Sequence, residues 1–516
     1  MGVPGCFFLY FLGMYVRKKI NPSGIVSVQV IDKSTGKYKL LKTIGSSSNS
    51  AEVARLESDA REWIKKRLGL IEIDFTDEKQ LAQQFLNSIE QITVQGTELL
   101  LGRIFDEIGF NAIPDILFRH LVIARLSFPA SKLKTTDFLS KYQFFPVDVQ
   151  QVYRYLDKLH KTQKEKVQQI SYDHSCKILG GEINIVFYDV TTLYFEIDNE
   201  DELRKTGFNK DGKHQNPQIV LGLLVSIDGY PLAYEIFEGN KFEGHTMCPV
   251  IDAFKSRYNL SKLVIIADSG LLSKDNIKIL NEKGYEFILG ARIKAESNLV
   301  KERILSLQLD NGQSEVIEKD DGLKLVIGYS ERRAKKDRHN RDRGLKKLEK
   351  KIRTGKLTKA NINNRGYNKY LELEGEIKVS INFDKYNFDA KWDGLKGYLT
   401  NTTLTKEEII ESYRHLWKIE KAFRISKYDL KIRPIFHRLQ RRIEAHICIA
   451  FVAYKVYKEL ERQLNEKKAG LSPEKAIEIA KTIYSVKVVT PKQKHRLQKT
   501  ILLTEEHEYL AKLFGF

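Results

Sequence analysis

The most regular alternation of apolar and polar positions lies in the middle of the chain. INIVFYDVTTLYFEI, Ile183 to Ile197, is dense in β-branched and aromatic residues and predicts a strand. QIVLGLLVSIDGYPLAYEIFEGN predicts two more strands, turned around Asp228-Gly229. Met247 to Tyr258 has helical spacing. KLVIIADSG is a continuous apolar run that ends on Asp268, the pattern of a strand buried on both faces. Ser273 to Lys283 predicts a short helix with Ser273 as its N-cap, and Tyr285 to Ile293 another strand.

Three strands, a helix, a strand, a helix and a strand are the element order of a ribonuclease-H-like α/β fold. The expected class is therefore α/β, a mixed sheet with flanking helices. The last helix of such a fold does not follow directly. Residues 295–390 intervene, with strand-like pieces in LKLVIGYS and GEIKVSINF, and predict a mostly β insertion. KWDGLKGYLTNT then leads back to the core. The missing helix is read from Thr405, where Thr405 and Glu408 form a capping-box pattern, to about Tyr428. Tyr413, Glu420 and Lys427 recur every seven residues. A seven-residue step drifts only ~20° on a straight helix, so the three share one stripe. Ile419, Ala422, Phe423 and Ile425 form the apolar side.

The flanks are helical. A small hairpin is predicted over Ile25 to Gly45 around Thr35-Gly36, then a polar linker, Ser46 to Ser50. Residues 51–169 have helical periodicity, broken from Ser127 to Lys134 at Pro129. After the Glu420 helix, Pro434 keeps LKIRPIF extended. A second long helix is expected from His437 to about Leu464, with Ile443, Ile447, Ala450, Phe451 and Tyr454 inward, and Ser472-Pro473 opens one more. The expected division is a tail and hairpin over 1–50, a helical DNA-end-binding domain over 51–180, a catalytic domain over 181–294 plus 391–465, a basic insertion domain over 295–390, and a C-terminal helical region over 466–516.

Charge narrows the class of partner. The 516 residues carry a formal charge of +19, which favours a polyanion, nucleic acid first and an anionic membrane surface second. No apolar run is long enough for a membrane span, which leaves nucleic acid. Four dispersed cysteines without a CxxC pair predict neither disulfides nor a zinc site, and a reducing cytoplasm. CFFLYFL, Cys6 to Leu12, is short, and its basic residues follow it, the reverse of a secretory signal. Translation is expected to start at Met14 rather than Met1; the intact mass of the natively expressed protein checks this. Glu331 to Arg353 holds twelve Lys/Arg and four acids in 23 residues, a solvated mobile segment or a phosphate-contacting arm.

Asp189 lies within the first core strand and Asp268 at the end of the fourth, neighbours in the predicted fold, and the late helix would present Glu420 beside them. Three convergent carboxylates need a compensating cation, and hard oxygen ligands suit Mg²⁺ or Mn²⁺. Two such ions roughly 3.5–4 Å apart could activate an attacking oxygen and steady a leaving one. For any one of these acids alone, a turn cap or a solvated helix face is the simpler reading.

FYDVTTLYFE, ADSGLLSKDN, KWDGLKGYLTNT and IEKAFRISKYDLKIRPIFH, in this order, resemble the DDE transposases of bacterial insertion sequences, in the branch with a Tyr-x2-Arg-x3-Glu-x6-Lys signature. The resemblance runs from about Met14 to the end. It implies a ribonuclease-H-like core, divalent-metal chemistry, and Asp189, Asp268 and Glu420 as catalytic, metal-holding residues. Tyr413 and Lys427 match the signature tyrosine and lysine as DNA contacts. Leu416 stands where the signature has arginine, and Arg414 or Arg424 could supply that charge. Trp392 either stacks on an unpaired or flipped base or closes the core beneath the insertion. His437 and His446 are expected to be structural.

The resulting expectation is a cytoplasmic transposase that cuts double-stranded DNA at terminal inverted repeats and joins the ends to target DNA, as a homodimer on DNA. The alternatives are a metal-dependent nuclease without strand transfer and a catalytically inactive DNA-binding descendant. DVTT also suggests an aspartyl phosphatase loop, but the second aspartate that loop needs is missing.

Overall fold

The computed structural model describes residues 13–516 except 35, 69–77, 198, 210–211, 261, 356, 358–360, 364–365, 375–377 and 490–495. The Cys6–Leu12 run and Thr35 of the predicted turn lie outside the described residues. The chain forms two units, one taking in residues up to Ile89 with Val488–Leu497, the other Glu90–Lys487 with Gln498–Phe516.

In the smaller unit the expected hairpin forms between Val26–Asp32 and Lys39–Ser47. A strand that periodicity missed, Met14–Ile20, pairs with the first of these. Its exposed end alternates weakly, which hides it from a period-two reading. The helix Ser50–Arg67 lays Ala60 and Ile64, four residues apart, on Val28 and Val30.

The larger unit is built on one eight-stranded sheet. Its strands are β1 (Ile185–Tyr194), β2 (Gln218–Ser226), β3 (Pro231–Glu238), β4 (Val264–Ala267), β5 (Glu286–Ala291), β6 (Ser314–Glu318), β7 (Lys324–Tyr329) and β8 (Leu395–Thr400). They lie in the order β6-β7-β8-β5-β4-β1-β2-β3. β1 runs antiparallel to β2 and parallel to β4, and β4 runs parallel to β5. The five core strands fall where the hydrophobic pattern puts them. Gly229, at φ 81°, takes the left-handed position of the β2–β3 turn that a side chain would strain. The helices Met247–Tyr258 and Lys274–Glu282 also form as read, the second capped by Ser273.

The intervening segment differs from expectation. Its strands β6 and β7 join β8 on the edge of the core sheet, β8 pairing antiparallel with β5. An uncovered β5 would expose a row of unpaired backbone groups, and these three strands cover it. The segment is also not mostly β. Its largest element is the 23-residue helix Glu331–Arg353. Arg341, Gly344 and Leu348 are its buried stripe, spaced i, i+3, i+7, so the basic run is a helix packed along one side. Arg341 pairs with Asp393 and its guanidinium lies over the Tyr386 ring at 5.2 Å.

The Glu420 segment also departs from the sequence reading. The capping box of Thr405 and Glu408 forms as read, but the helix stops at Arg414. His415 and Leu416 bond three residues back, to Ser412 O (3.2 Å) and Tyr413 O (3.0 Å), which tightens the turn. A second helix, Trp417–Arg424, follows and ends in a π-turn over Ile425–Asp429. Leu416, at the break, turns into the core and is 7 % exposed. Ile419, Ala422, Phe423 and Ile425 are buried as expected.

Helix Gln440–Glu466 is the axle of this unit, starting three residues later than predicted. Its inward residues Ile443, Ile447, Ala450, Phe451 and Tyr454 are all buried. The helices Ile116–Ser127, Val149–Thr162 and Lys164–Ile178, read as part of a separate DNA-end-binding domain, pack on it and share its core. The helix opened by Ser472-Pro473 forms over Pro473–Ala480. The C-terminal region, expected to be helical, also contains the strands Tyr484–Val489 and Arg496–Ile501. Among the described residues no helix is long and apolar enough to cross a membrane.

Candidate active site

β1 and β4 place the two aspartates. Their register pairs Tyr188 with Ala267, so Asp189 and Asp268 are the next residues along two adjacent parallel strands. Adjacent strands lie about 4.8 Å apart. Side chains alternate across the sheet: Val186, Tyr188, Val190 and Ala267 pack toward the Met247–Tyr258 side, Phe187, Leu193 and Ile266 toward the long helix. Asp189 and Asp268 therefore share the second side, where Tyr413 also packs.

Helix Lys406–Arg414 brings Tyr413 onto Asp268. Its hydroxyl donates to Asp268 Oδ1 at 3.3 Å. Burial first, then the Asp268 charge, pushes the phenol well above its ordinary pKa, so it remains a donor. The ring stands edge-on to Tyr398, 4.9 Å away. Gly290 on β5 leaves room for the hydroxyl: a Cβ there would stand 2.5 Å from Tyr413 Oη and 3.0 Å from Ser269 N. Gly290→Ala is expected to displace the hydroxyl from Asp268 with the fold intact and, at the site the sequence reading assigns to DNA cleavage, to lower cleavage about 10–100-fold. Cleavage kinetics together with circular dichroism of the variant check this.

Helix Trp417–Arg424 carries Glu420 and packs against β1. Lysines on either side of Glu420 pin the helix. Lys418 Nζ reaches Ile227 O at 2.6 Å in the β2–β3 turn, and Lys421 Nζ reaches Glu461 Oε1 at 2.5 Å on the long helix. Glu420 itself is exposed, and its charge acts on Tyr413 and on Lys396.

Lys396, on β8, is a residue the sequence reading missed. Its ammonium lies 4.3 Å from the Tyr413 ring centroid and 5.3 Å from that of Tyr398. Burial first and Arg333 second push it below lysine's usual pKa, while Asp268 and Glu420 pull it back up. The KWDGLKGYLTNT stretch was legible only as a route back to the core. A lysine at a strand position beside Tyr398 was the available signal, and nothing in the sequence says that Asp268 lies across from it.

The three carboxylates do not converge on one point as expected. Asp189 Oδ1 accepts from its neighbour Val190 N at 2.8 Å, Asp268 meets Tyr413, and the Glu420 charge reaches Tyr413 and Lys396. Among the described residues no group of three or more His, Cys, Asp or Glu side chains is close enough to hold a metal ion. The donors still fit a divalent cation in kind, being hard carboxylate oxygens, two of them at one level of adjacent strands.

The other expected contacts scatter. Arg424 is exposed and its charge acts on Asp429; Lys427 is half-buried in the π-turn. Arg414 pairs with Glu411 at 2.9 Å. Trp392 is 4 % exposed and packs with Ile293, Ile304 and Leu325, so of the two readings it closes the core beneath the insertion. Its edge lines a cleft of about 830 Å³ that runs from Asp268, Tyr413 and Lys396 to Arg333 and Arg341. The expected structural roles of His437 and His446 agree with their burial.

The chain is a mixed α/β protein whose large sheet sets Asp189 and Asp268 side by side, with Glu420 on a later helix. The transposase DDE domain family matches residues 180–455, and the chain belongs to that family. No curated protein sequence matches the chain. Among solved structures it has a distant likeness to piggyBac transposase in a synaptic complex with hairpin DNA, at TM-score 0.37 and 9 % identity over 84 % of this chain and 79 % of that one. A fainter one is to Mos1 transposase in a paired-end complex with the left transposon end, at TM-score 0.16 and 13 % identity over 33 % and 56 %.

Proposed function

We propose that this protein is the transposase of a bacterial insertion sequence, cutting double-stranded DNA at the terminal inverted repeats and joining the freed 3′ ends to target DNA. The observation that carries this reading is the pairing of Asp189 and Asp268 at one level of β1 and β4, with Tyr413 on Asp268. The core order β3-β2-β1-β4-β5, with only β2 antiparallel to its neighbours, supports a ribonuclease-H-like catalytic domain. The net charge of +19 suits a DNA partner, and cutting two ends together suits a homodimer on DNA.

Asp189, Asp268 and Glu420 would hold Mg²⁺ or Mn²⁺, in two ions, which when bound would offset their charge and activate the oxygens of an in-line displacement. Tyr413 fixes the orientation of Asp268 by donating to it. Lys396 brings a partly desolvated positive charge to the same cleft, where a scissile phosphate would need it. Arg424 and Lys427 extend the positive charge along the DNA backbone, taking the phosphate contact that Leu416 cannot make.

Labelled end-repeat DNA incubated with the protein and Mg²⁺ tests the reading. Cut and joined products are expected; ends cut but never joined would make the protein a nuclease instead. Tyr413→Phe keeps the ring on Tyr398 and loses the bond to Asp268. Its cleavage rate is expected to fall about tenfold, equivalent to ~1.4 kcal/mol, with DNA retention unchanged in a mobility-shift assay.

A further inference from the structure

A second cluster of positive charge lies in a cavity of about 150 Å³, next to the chain that leaves the Glu420 segment. It is lined by Arg125, Ser131, Lys132, Arg433, His437 and His446, among others, and no acidic residue lines it among those described. The groups inside are unusually buried for charged side chains: Arg125 is 5 % exposed, Lys132 5 % and His446 4 %. Arg and Lys are almost never buried without a paired anion. Among the described residues the Arg125 guanidinium has only the carbonyls of Leu430 and Lys431, at 3.5 and 3.3 Å. Lys132, whose amine burial and then Arg125 push well below lysine's usual pKa, has no carboxylate partner among the described residues.

His446 gives an independent sign. Nε2 is held by Ile432 O at 2.8 Å, while Nδ1 is buried without any hydrogen-bond partner. The rings of His437 and His446 are 5.5 Å apart. Burial, then the positive charges of neighbouring Lys and Arg side chains, holds His437 down to about 3 and His446 well below the ordinary histidine value. Asp157, whose charge acts on His437, is taken up by Arg441 and Arg442 at 2.8 Å each. The helix Lys132–Tyr142 also begins here, with Ser131 as its N-cap, so its free N–H groups and positive dipole end face the same place.

Two histidines side by side suggest a metal site, but Arg125 and Lys132 would repel a cation. The cluster lacks an anion. The cavity is also roomy, many times the ~10–15 Å³ that one water needs. A tetrahedral oxyanion would offer acceptors to Arg125, Lys132 and the helix N–H groups, and would cancel the repulsion among the positive groups.

We propose that this cavity is a phosphate-binding site, distinct from the Asp189–Asp268 site. The phosphate could be one of the DNA backbone or a free inorganic ion, and the two sources are separable. Inorganic phosphate is titrated against the full-length protein at constant ionic strength, with chloride as the control, and the melting temperature is followed. Phosphate is expected to raise it by several degrees and chloride to leave it unchanged. Lys132→Met keeps the chain length, removes one buried charge and should erase the phosphate response; Arg433→Ala, at the half-buried edge, should weaken it several-fold. A wild-type protein indifferent to phosphate, or a Lys132→Met protein that responds as fully as wild type, overturns the proposal. Displacement of radiolabelled phosphate by a short DNA duplex assigns the site to a backbone phosphate, and retention of the label assigns it to the free ion. None of these readouts depends on cleavage or strand transfer, so they stand or fall apart from the transposase reading.

Discussion

Glu420→Gln is expected to lower cleavage of labelled end-repeat DNA by on the order of 10²–10³-fold or more while leaving the protein folded and bound to DNA. The physical case is that Glu420 is exposed and holds no core together, so the amide costs the fold little. What the change removes is one of the negative charges acting on Lys396 and Tyr413, and one hard oxygen ligand. Mobility shift and circular dichroism should be unchanged beside the lost cleavage. A variant that cuts at the wild-type rate would remove Glu420 from the site and leave the two aspartates to act with another residue.

The largest stability effect is expected at Glu459, on the long helix and 1 % exposed. Its carboxylate accepts from Tyr230 Oη at 3.0 Å on the sheet, from Arg462 Nη2 at 2.6 Å and from Gln463 Nε2 at 2.9 Å. Nearby, the fully buried Lys455 ammonium is held by Ser171 O at 3.0 Å and Ser175 Oγ at 2.6 Å, on the helix Lys164–Ile178. Burial pushes the Lys455 amine well below lysine's usual pKa, and the Glu459 charge pulls it back up. Glu459→Ala removes the carboxylate paired with Arg462 and strands the buried Tyr230 hydroxyl, and is expected to cost about 3–5 kcal/mol, read as a lower denaturant midpoint of the larger unit. The isosteric Glu459→Gln, which keeps the packing, should cost less.

The same residue gives a pH dependence. Burial, the largest influence, would raise the Glu459 pKa, but bonds from Arg462 and Gln463 and the nearby charges outweigh it and leave it lowered. A carboxylate lowered by folding stabilises above its unfolded value, near 4.3, and that contribution is lost as pH falls through the folded value. The difference between wild type and Glu459→Gln should therefore shrink below about pH 4.

Much of this molecule is written locally. The five core strands, the Asp228-Gly229 turn, the Ser273 cap and the capping box at Thr405 follow from side-chain periodicity and backbone preference, which act within a few residues. So does the placement of Asp189 within one apolar run and of Asp268 at the end of another. What local pattern cannot carry is distance through space. The run over Glu331–Arg353 reads as a solvated charge cluster because its buried stripe rests on Arg341 and Gly344, which have no apolar signature; only Asp393, Tyr386 and Tyr367 make that stripe a packed one. The seven-residue stripe of Tyr413 and Glu420 presumed one straight helix. The helix instead tightens at His415 and Leu416, whose N–H groups bond three residues back, and Leu416 packs into the core.

The clearest division falls at the two sites. The sequence by itself pointed to the transposase family, set the order of the core strands along the chain and singled out Asp189, Asp268 and Glu420 as candidates, because each depends on residue type and order. The tertiary structure alone decided that Tyr413 serves Asp268, that Lys396 stands beside them, and that Arg125, Lys132, His437 and His446 share one cavity. Those groups lie up to hundreds of residues apart in the chain, and their electrostatic coupling depends on ångströms of separation and on exclusion of water, which only packing sets.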